Sequence, residues 1–370
     1  MKRWLLLLLV ASLGCGEART GGDGPRVWRF AIEESEGSVQ HAYALEFERR
    51  VERASGGEID VVVYPYGPLG TSTQMTEQLN LGAIEFAMAS PGSIGKFIPE
   101  TQAFLLHFVL SHDDAVNQRA LASPELLAAF DKLYAAKGWK LLSIFPEGEM
   151  VWTTQKEIRR PDDFRGVKIR VMTSPILLHA YNAYGASATP LPYSEVYSAL
   201  QLGMVDAQVN PVFAIERQKF YEVTDWLIFP GHAHFVTTAA ANREFYEGQT
   251  ESDRRLIDDT IAALNGYIFD RQVAFQTDRL KTIIAAKKAR GARLGLCGDF
   301  TNFLAALTPE ERAELVDCNE LLTITPPLTS GERQAFASAS EAVQQTYLDT
   351  GGPDAERMLR LIEAAVTEAE

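Results

Sequence analysis

The chain has 370 residues, 46% hydrophobic and 23% charged, with 49 acidic against 35 basic side chains and a formal net charge of -14. That acidity argues against nucleic acid as a partner, since a polyanion is repelled by such a surface, but not against a small anion, because a buried site sets its own local potential. The length exceeds what one hydrophobic core usually supports, so two lobes are expected.

The first fifteen residues read MKRWLLLLLVASLGC. Two basic residues, a short apolar run, small residues and a cysteine form an export signal, and the run is too short for the roughly 20 residues of a membrane-spanning helix. Ser12-Leu13-Gly14-Cys15 resembles the bacterial lipobox, in which the cysteine becomes the lipidated first residue, although Ser12 stands where an aliphatic residue is preferred. The expectation is a periplasmic protein tied to a membrane only through lipid on Cys15; the alternative is cleavage and free release. Residues 16–26 are polar and glycine-rich, as a flexible tether requires. Export into an oxidising compartment makes the two remaining cysteines, Cys297 and Cys318, a candidate disulfide.

Folding is expected to start near Val27. VWRFAI reads as a strand; Val39, Ala42, Leu45, Phe47 and Val51 recur at helical spacing up to Gly56-Gly57; IDVVVYPYGPLG reads as a strand and loop; TQMTEQLNLGAIEFAMAS repeats helix then strand. Strand and helix alternating with short connections imply a mostly parallel sheet covered by helices. Pro124 to Lys137, with Ser123 as cap and Gly138 as stop, predicts a helix before the strand WKLLSIF. The alternation resumes with VWTTQ, the loop PDDFRG, the strand VKIRV and helices over 175–184 and 194–202, giving a second α/β lobe. After the strand FVTTAAAN, residues 251–290 contain no proline and one glycine, Gly266, so a helix about 60 Å long could lie along both lobes. Met358, Leu359, Ile362 and Val366 mark a last amphipathic helix.

The stretch from Phe164 to Phe229 carries R-G-x-K-I-R-V, G-A-S-x-T-P, S-E-V-Y-x-A-L-Q and V-D-x-Q-x-N-P in order. It resembles the solute-binding proteins of tripartite ATP-independent periplasmic (TRAP) transporters. The likeness extends to EIDVVVYPYGPLG, IEFAMASPG and GGPDAERMLRLIEAA, nearly the whole mature chain. The resemblance implies a periplasmic-binding-protein-like α/β fold: two lobes with mixed, mostly parallel sheets, joined by crossing strands and a long helix. Lobe I is expected over 27–146 plus about 235–270, lobe II over 147–234 plus about 271–370. Residues 296–323, bracketing both late cysteines, read as an insertion. The implied function is capture of a small organic anion in the cleft and its delivery to membrane permease subunits, without catalysis or cofactor. A sensor or carrier of the same fold working without a permease is the alternative.

An arginine inside the apolar strand VKIRV needs an anion, because burying an unpaired guanidinium is costly, and its planar fork fits a carboxylate. The resemblance gives that role to Arg170, a polar contact to Asn210, an aromatic floor to Tyr193 and a further polar contact to Ser90; Met172, Phe213 and Trp152 are weaker candidates. Sialic-acid-binding members have a second arginine where this chain has Met150, a glutamate at Val209 and a carboxylate at Ser90. Those departures predict a monocarboxylate with an apolar body. Ser93-Ile94-Gly95-Lys96 fits the S-x-x-K pattern of acyl-transfer enzymes but has no companion motif. His232 and His234, two apart, would face opposite sides of a strand, so no metal site is expected there, although some receptors of this type bind carboxylates through a metal ion.

Overall fold

The structure is a computed structural model that describes residues 24–289, 295–296, 323–325 and 328–370. The export signal, Cys15, the first part of the tether, the Cys297–Cys318 pairing and nearly all of the expected insertion lie outside the described residues.

The first lobe opens with β1 (Arg26–Ala31), α1 (Val39–Ala54), β2 (Ile59–Tyr64), α2 (Ser72–Asn80), β3 (Phe86–Ala89) and the one-turn α3 (Pro91–Ile94). It continues through α4 (Asp114–Leu121), α5 (Pro124–Ala135) and the long β4 (Trp139–Glu149). Met150 alone separates β4 from β5 (Val151–Thr154), which begins the second lobe. There follow β6 (Lys168–Val171), α6 (Pro175–Ala183), β7 (Ser187–Pro190), α7 (Val196–Gln201), β8 (Ala207–Asn210), α8 (Val212–Arg217) and β9 (Trp226–Ile228). The chain returns to the first sheet as β10 (His234–Asn242), then forms α9 (Arg243–Gly248) and α10 (Glu251–Ala289). The short β11 (Gly295–Leu296) and β12 (Thr323–Thr325), then α11 (Ser330–Thr350) and α12 (Ala355–Ala369), complete the described chain.

Two sheets result, with strand orders β2-β1-β3-β10-β4 and β11-β12-β9-β5-β8-β6-β7. Pairs made within one run of strand–helix–strand units, such as β1 with β2 and β6 with β7, are parallel. All four antiparallel pairings involve β10 or β5, the strands that arrive from the other lobe and so enter their sheet from its opposite end. The crossing is tied at its narrowest point, where Met150 N donates to Ala233 O at 2.9 Å and Gly231 N to Glu149 Oε1 at 2.6 Å.

The helices follow their sequence signals. Ser38 caps α1 by accepting from His41 N, and Thr71 with Gln74 forms a reciprocal capping box at α2. Ser123 stands at the cap of α5, where Pro124 at the first helical position sets the start and the serine side chain makes no capping bond. α10 runs unbroken through Gly266 and packs on α1 in the first lobe and α8 in the second, so it straps the lobes together. The C-terminal segment does not follow the second lobe as expected. α11 packs on α6, but α12 packs on α4 and α5, because Met358, Leu359, Ile362 and Val366 face the apolar surface around Phe104 and Leu121 of the first lobe.

Candidate ligand site in the cleft

The strands explain where the site lies. In an open, parallel sheet the loops leaving the carboxyl ends of the strands converge on one edge, and a ligand binds there. Here the loops after β1, β2 and β3 supply Glu33, Glu34, Tyr66 and Ser90, the ends of β6 and β8 supply Arg170 and Asn210, and the loops after β6 and β7 supply Met172, Leu191 and Tyr193. Together with Phe235 of the crossing strand they enclose a cavity of about 380 Å³, a size usual for small-molecule sites.

Arg170 is 2% exposed. Its Nε and one terminal nitrogen donate to Leu191 O at 3.0 and 2.8 Å, which fixes the plane of the guanidinium. Among the described residues no carboxylate pairs with it. Burial lowers its pKa to about 10, so it stays charged at neutral pH and presents an uncompensated cation to the cavity. Tyr193 lies beside it and meets Tyr66 of the first lobe edge to face, with ring centroids 6.0 Å apart. The Asn210 amide donates to Gln208 Oε1, and Gln208 donates to Thr153 at 3.0 Å, so a buried chain of amides holds the asparagine at the cavity wall.

Facing these groups are two carboxylates that the sequence reading did not single out. Glu33 and Glu34 are 7% and 5% exposed and follow β1 directly. Glu33 accepts from Ser90 N and, at 2.8 Å, from Ser93 Oγ; burial raises its pKa against those bonds. Burial raises Glu34 well above the ordinary carboxylate range, and the nearby Glu147 and Glu33 add to it. A signal was present: two adjacent acids at the carboxyl end of an apolar strand sit where a parallel sheet places its ligand, but adjacent acids in a loop ordinarily belong to a solvated surface.

The expected site residues divide by place. Arg170, Asn210, Tyr193, Ser90 and Met172 line the cavity. Met150 and Val209 instead line a second, adjoining hollow of about 20 Å³. Trp152 is fully buried, packs on Phe164 and Phe336 and donates to Tyr181 at 2.9 Å. Phe213 lies in the apolar cluster of the first lobe. Contacts cross the cleft: Ser174 donates to Gln102 Oε1 at 3.1 Å, and Gly92 lets α3 approach Met172, whose Cε would stand 2.9 Å from a Cβ at that glycine.

These features match known proteins. Residues 30–290 fit the model of the bacterial extracellular solute-binding protein family 7. The chain belongs to this family. It is 33% identical over 356 residues to the ectoine/5-hydroxyectoine-binding periplasmic protein UehA of Ruegeria pomeroyi, covering 96% of this chain and 95% of that protein. It is 41% identical over 260 residues, 70% of this chain and 76% of the other, to the ectoine-binding periplasmic protein TeaA of Halomonas elongata. The solved structure of the ectoine-binding protein of the TeaABC TRAP transporter superposes with a TM-score of 0.79 at 33% identity, covering 92% of this chain and 99% of that one. A TRAP solute-binding protein of Marinobacter aquaeolei, in an apo open structure, gives 0.77 at 35% identity, covering 91% and 99%. This chain is a TRAP-type periplasmic solute-binding protein.

Within this receptor the two decoy motifs have ordinary structural roles. The Ser93 hydroxyl is engaged by Glu33 and Ser90 O, and Lys96 pairs with Glu77 at 3.3 Å, so the serine and lysine of S-x-x-K do not meet as nucleophile and base. His232 Nε2 bonds the Tyr181 hydroxyl at 3.0 Å, while His234 Nε2 meets Asp114 at 2.9 Å. No group of three metal-ligating side chains occurs among the described residues.

Proposed function

We propose that this receptor captures a compact zwitterion, ectoine or a close chemical relative, rather than a plain monocarboxylate. The observation that carries the reading is a buried guanidinium and a buried carboxyl group, Arg170 and Glu34, which line one cavity without pairing with each other. A guest with one anionic and one cationic end satisfies both. Ectoine has a carboxylate on a small ring that itself contains the amidinium. In this reading the carboxylate lies on Arg170 and Asn210, the ring against Tyr66, Tyr193, Met172 and Phe235, and the amidinium on Glu34. The names of UehA and TeaA support it.

Such a guest touches both lobes at once, Glu34 on the first and Arg170 on the second, so it stabilises the closed form over the open one, and the permease meets a receptor whose shape reports occupancy. Lipid on Cys15 would hold that receptor at the membrane surface. Calorimetry with ectoine and with a cyclic monocarboxylate of equal size tests the ligand. A charged hydrogen bond contributes roughly 1.5–3 kcal/mol, so the monocarboxylate should bind about ten- to a hundredfold more weakly. Equal affinity for the two would overturn the zwitterion reading.

A further inference from the structure

Behind Glu34, on the side away from the cleft, lies a third buried acid. Glu147 belongs to β4, and the register of β4 against β10 passes from Phe235 opposite Gly148 to Val236 opposite Pro146. Glu147 is therefore the extra residue of a β-bulge, a device that re-aims a side chain out of the strand's alternation. The bulge turns it inward, where it has no exposed surface. Its Oε1 accepts from Gln40 at 3.0 Å, and Gln40 in turn accepts from Glu33 N at 2.9 Å, so α1 locks both acids in place.

The remaining oxygens decide the chemistry. Glu34 Oε2 and Glu147 Oε2 are both buried without a hydrogen-bond partner, and Glu147 is the acid that raises Glu34 most. Two ionised carboxylates offer only acceptors, so neighbouring buried oxygens that no other group donates to are satisfied only by a proton on one of them. No lysine or arginine among the described residues forms an ion pair with Glu33, Glu34 or Glu147. The charged and titratable groups around Glu34 are Glu33 on its own loop, Glu147 on β4, Tyr66 after β2, and Tyr193 and Arg170 across the cleft, with Lys96 further along the cavity wall and paired with Glu77. Three buried acids thus stand together with no cation at contact distance among the described residues.

We propose that in the ligand-free receptor Glu34 and Glu147 share one proton that stands in for a cation, and that the cationic end of the guest displaces it to solvent, so that capture is coupled to proton release. The ligand and the proton compete for one carboxylate. Binding therefore tightens as pH rises, by up to tenfold per unit while the pair still holds its proton in the free protein, and becomes flat once the proton is lost. Burial raises both groups, which sets the change on the neutral rather than the acidic side of the ordinary carboxylate range.

The cationic guest rests on the zwitterion reading, and the test separates the two. Carbon-13 titration of glutamate side-chain carboxyls in the ligand-free protein should show two carboxyls responding together near neutrality, with one proton between them; both responding only at about pH 4–5 would overturn the shared proton whatever the ligand is. Calorimetry of ectoine binding at about pH 6.5 in buffers of different ionisation enthalpy should then show release approaching one proton, and Glu147→Gln, whose amide can donate to an ionised Glu34, should abolish both release and pH slope. Tight binding without proton uptake or release overturns the coupling. Failure of ectoine to bind at every pH, beside an intact shared titration, overturns the ligand and with it the displacement step. Should Glu147→Gln not fold, Glu147→Asp, too short to reach Glu34, gives the same comparison.

Discussion

Arg170 concentrates the anion-binding capacity of the site, since it is buried, charged and held by one backbone carbonyl. Replacing it with alanine removes the charged donor at that end and leaves a bound carboxylate desolvated without its charged partner, so affinity should fall by about 2–5 kcal/mol, a loss of roughly thirtyfold or more by calorimetry. Unchanged affinity would remove Arg170 from the site. The stability of the empty protein should hold or rise, because a buried cation with no counter-charge is itself a cost. The same reasoning shows what the sequence could reveal at this scale. A guanidinium in an apolar strand is an anomaly that demands an anion, and Arg170 stood out for that reason. Glu34 did not, since a loop acid is ordinarily solvated and only the tertiary fold brings α1, β4 and the second lobe around it. Glu147 was hidden further, because its direction is set by a bulge that leaves no periodic trace.

The elements show the same division. Strands and helices with one apolar face were legible from spacing, and the two lobes and the long strap helix followed from them. The sequence predicts the strand WKLLSIF, ending at Phe145, and Pro146 and Gly148 beyond it are residues that ordinarily weaken or end strands. β4 in fact runs to Glu149, and it can do so because it lies at the sheet edge and carries its irregularity in a bulge at that point. Gly148 has φ +122°, and a Cβ there would stand 2.2 Å from Gln276 Nε2 of α10. The glycine thus serves both the bulge and the seat of the strap helix. Gly148→Ala should destabilise the protein by about 1–3 kcal/mol in chemical denaturation, through backbone strain and the displaced glutamine. Because the bulge aims Glu147, the variant should also weaken the pH dependence of ligand binding. A fully stable variant would show that β4 can shift without cost.

For the whole molecule, buried ionisable groups pull stability in opposite directions with pH. Burial drives His107 down to about 3 and His232 well below its ordinary value, the latter helped by neighbouring positive groups, so both stay neutral where free histidines take up protons. Below about pH 6.5 the unfolded chain therefore binds more protons than the fold, and stability falls as pH falls, by about 1.4 kcal/mol per unit for each histidine. Burial raises Glu33, Glu34, Glu147 and Glu149. Above about pH 4.5 the fold holds protons that the unfolded chain has lost, so these acids favour the folded state at low pH and that contribution disappears as pH rises through their native values. The ligand-free protein should therefore be most stable at mildly acidic pH, with its melting temperature falling on either side. Glu147→Gln removes one of the raised acids and should flatten the alkaline limb while leaving the acidic limb, set by His107 and His232, in place. Thermal scans from about pH 4.5 to 8.5 on both proteins measure this, and an alkaline limb of equal slope in the variant would mean that Glu147 ionises as freely in the fold as in the unfolded chain.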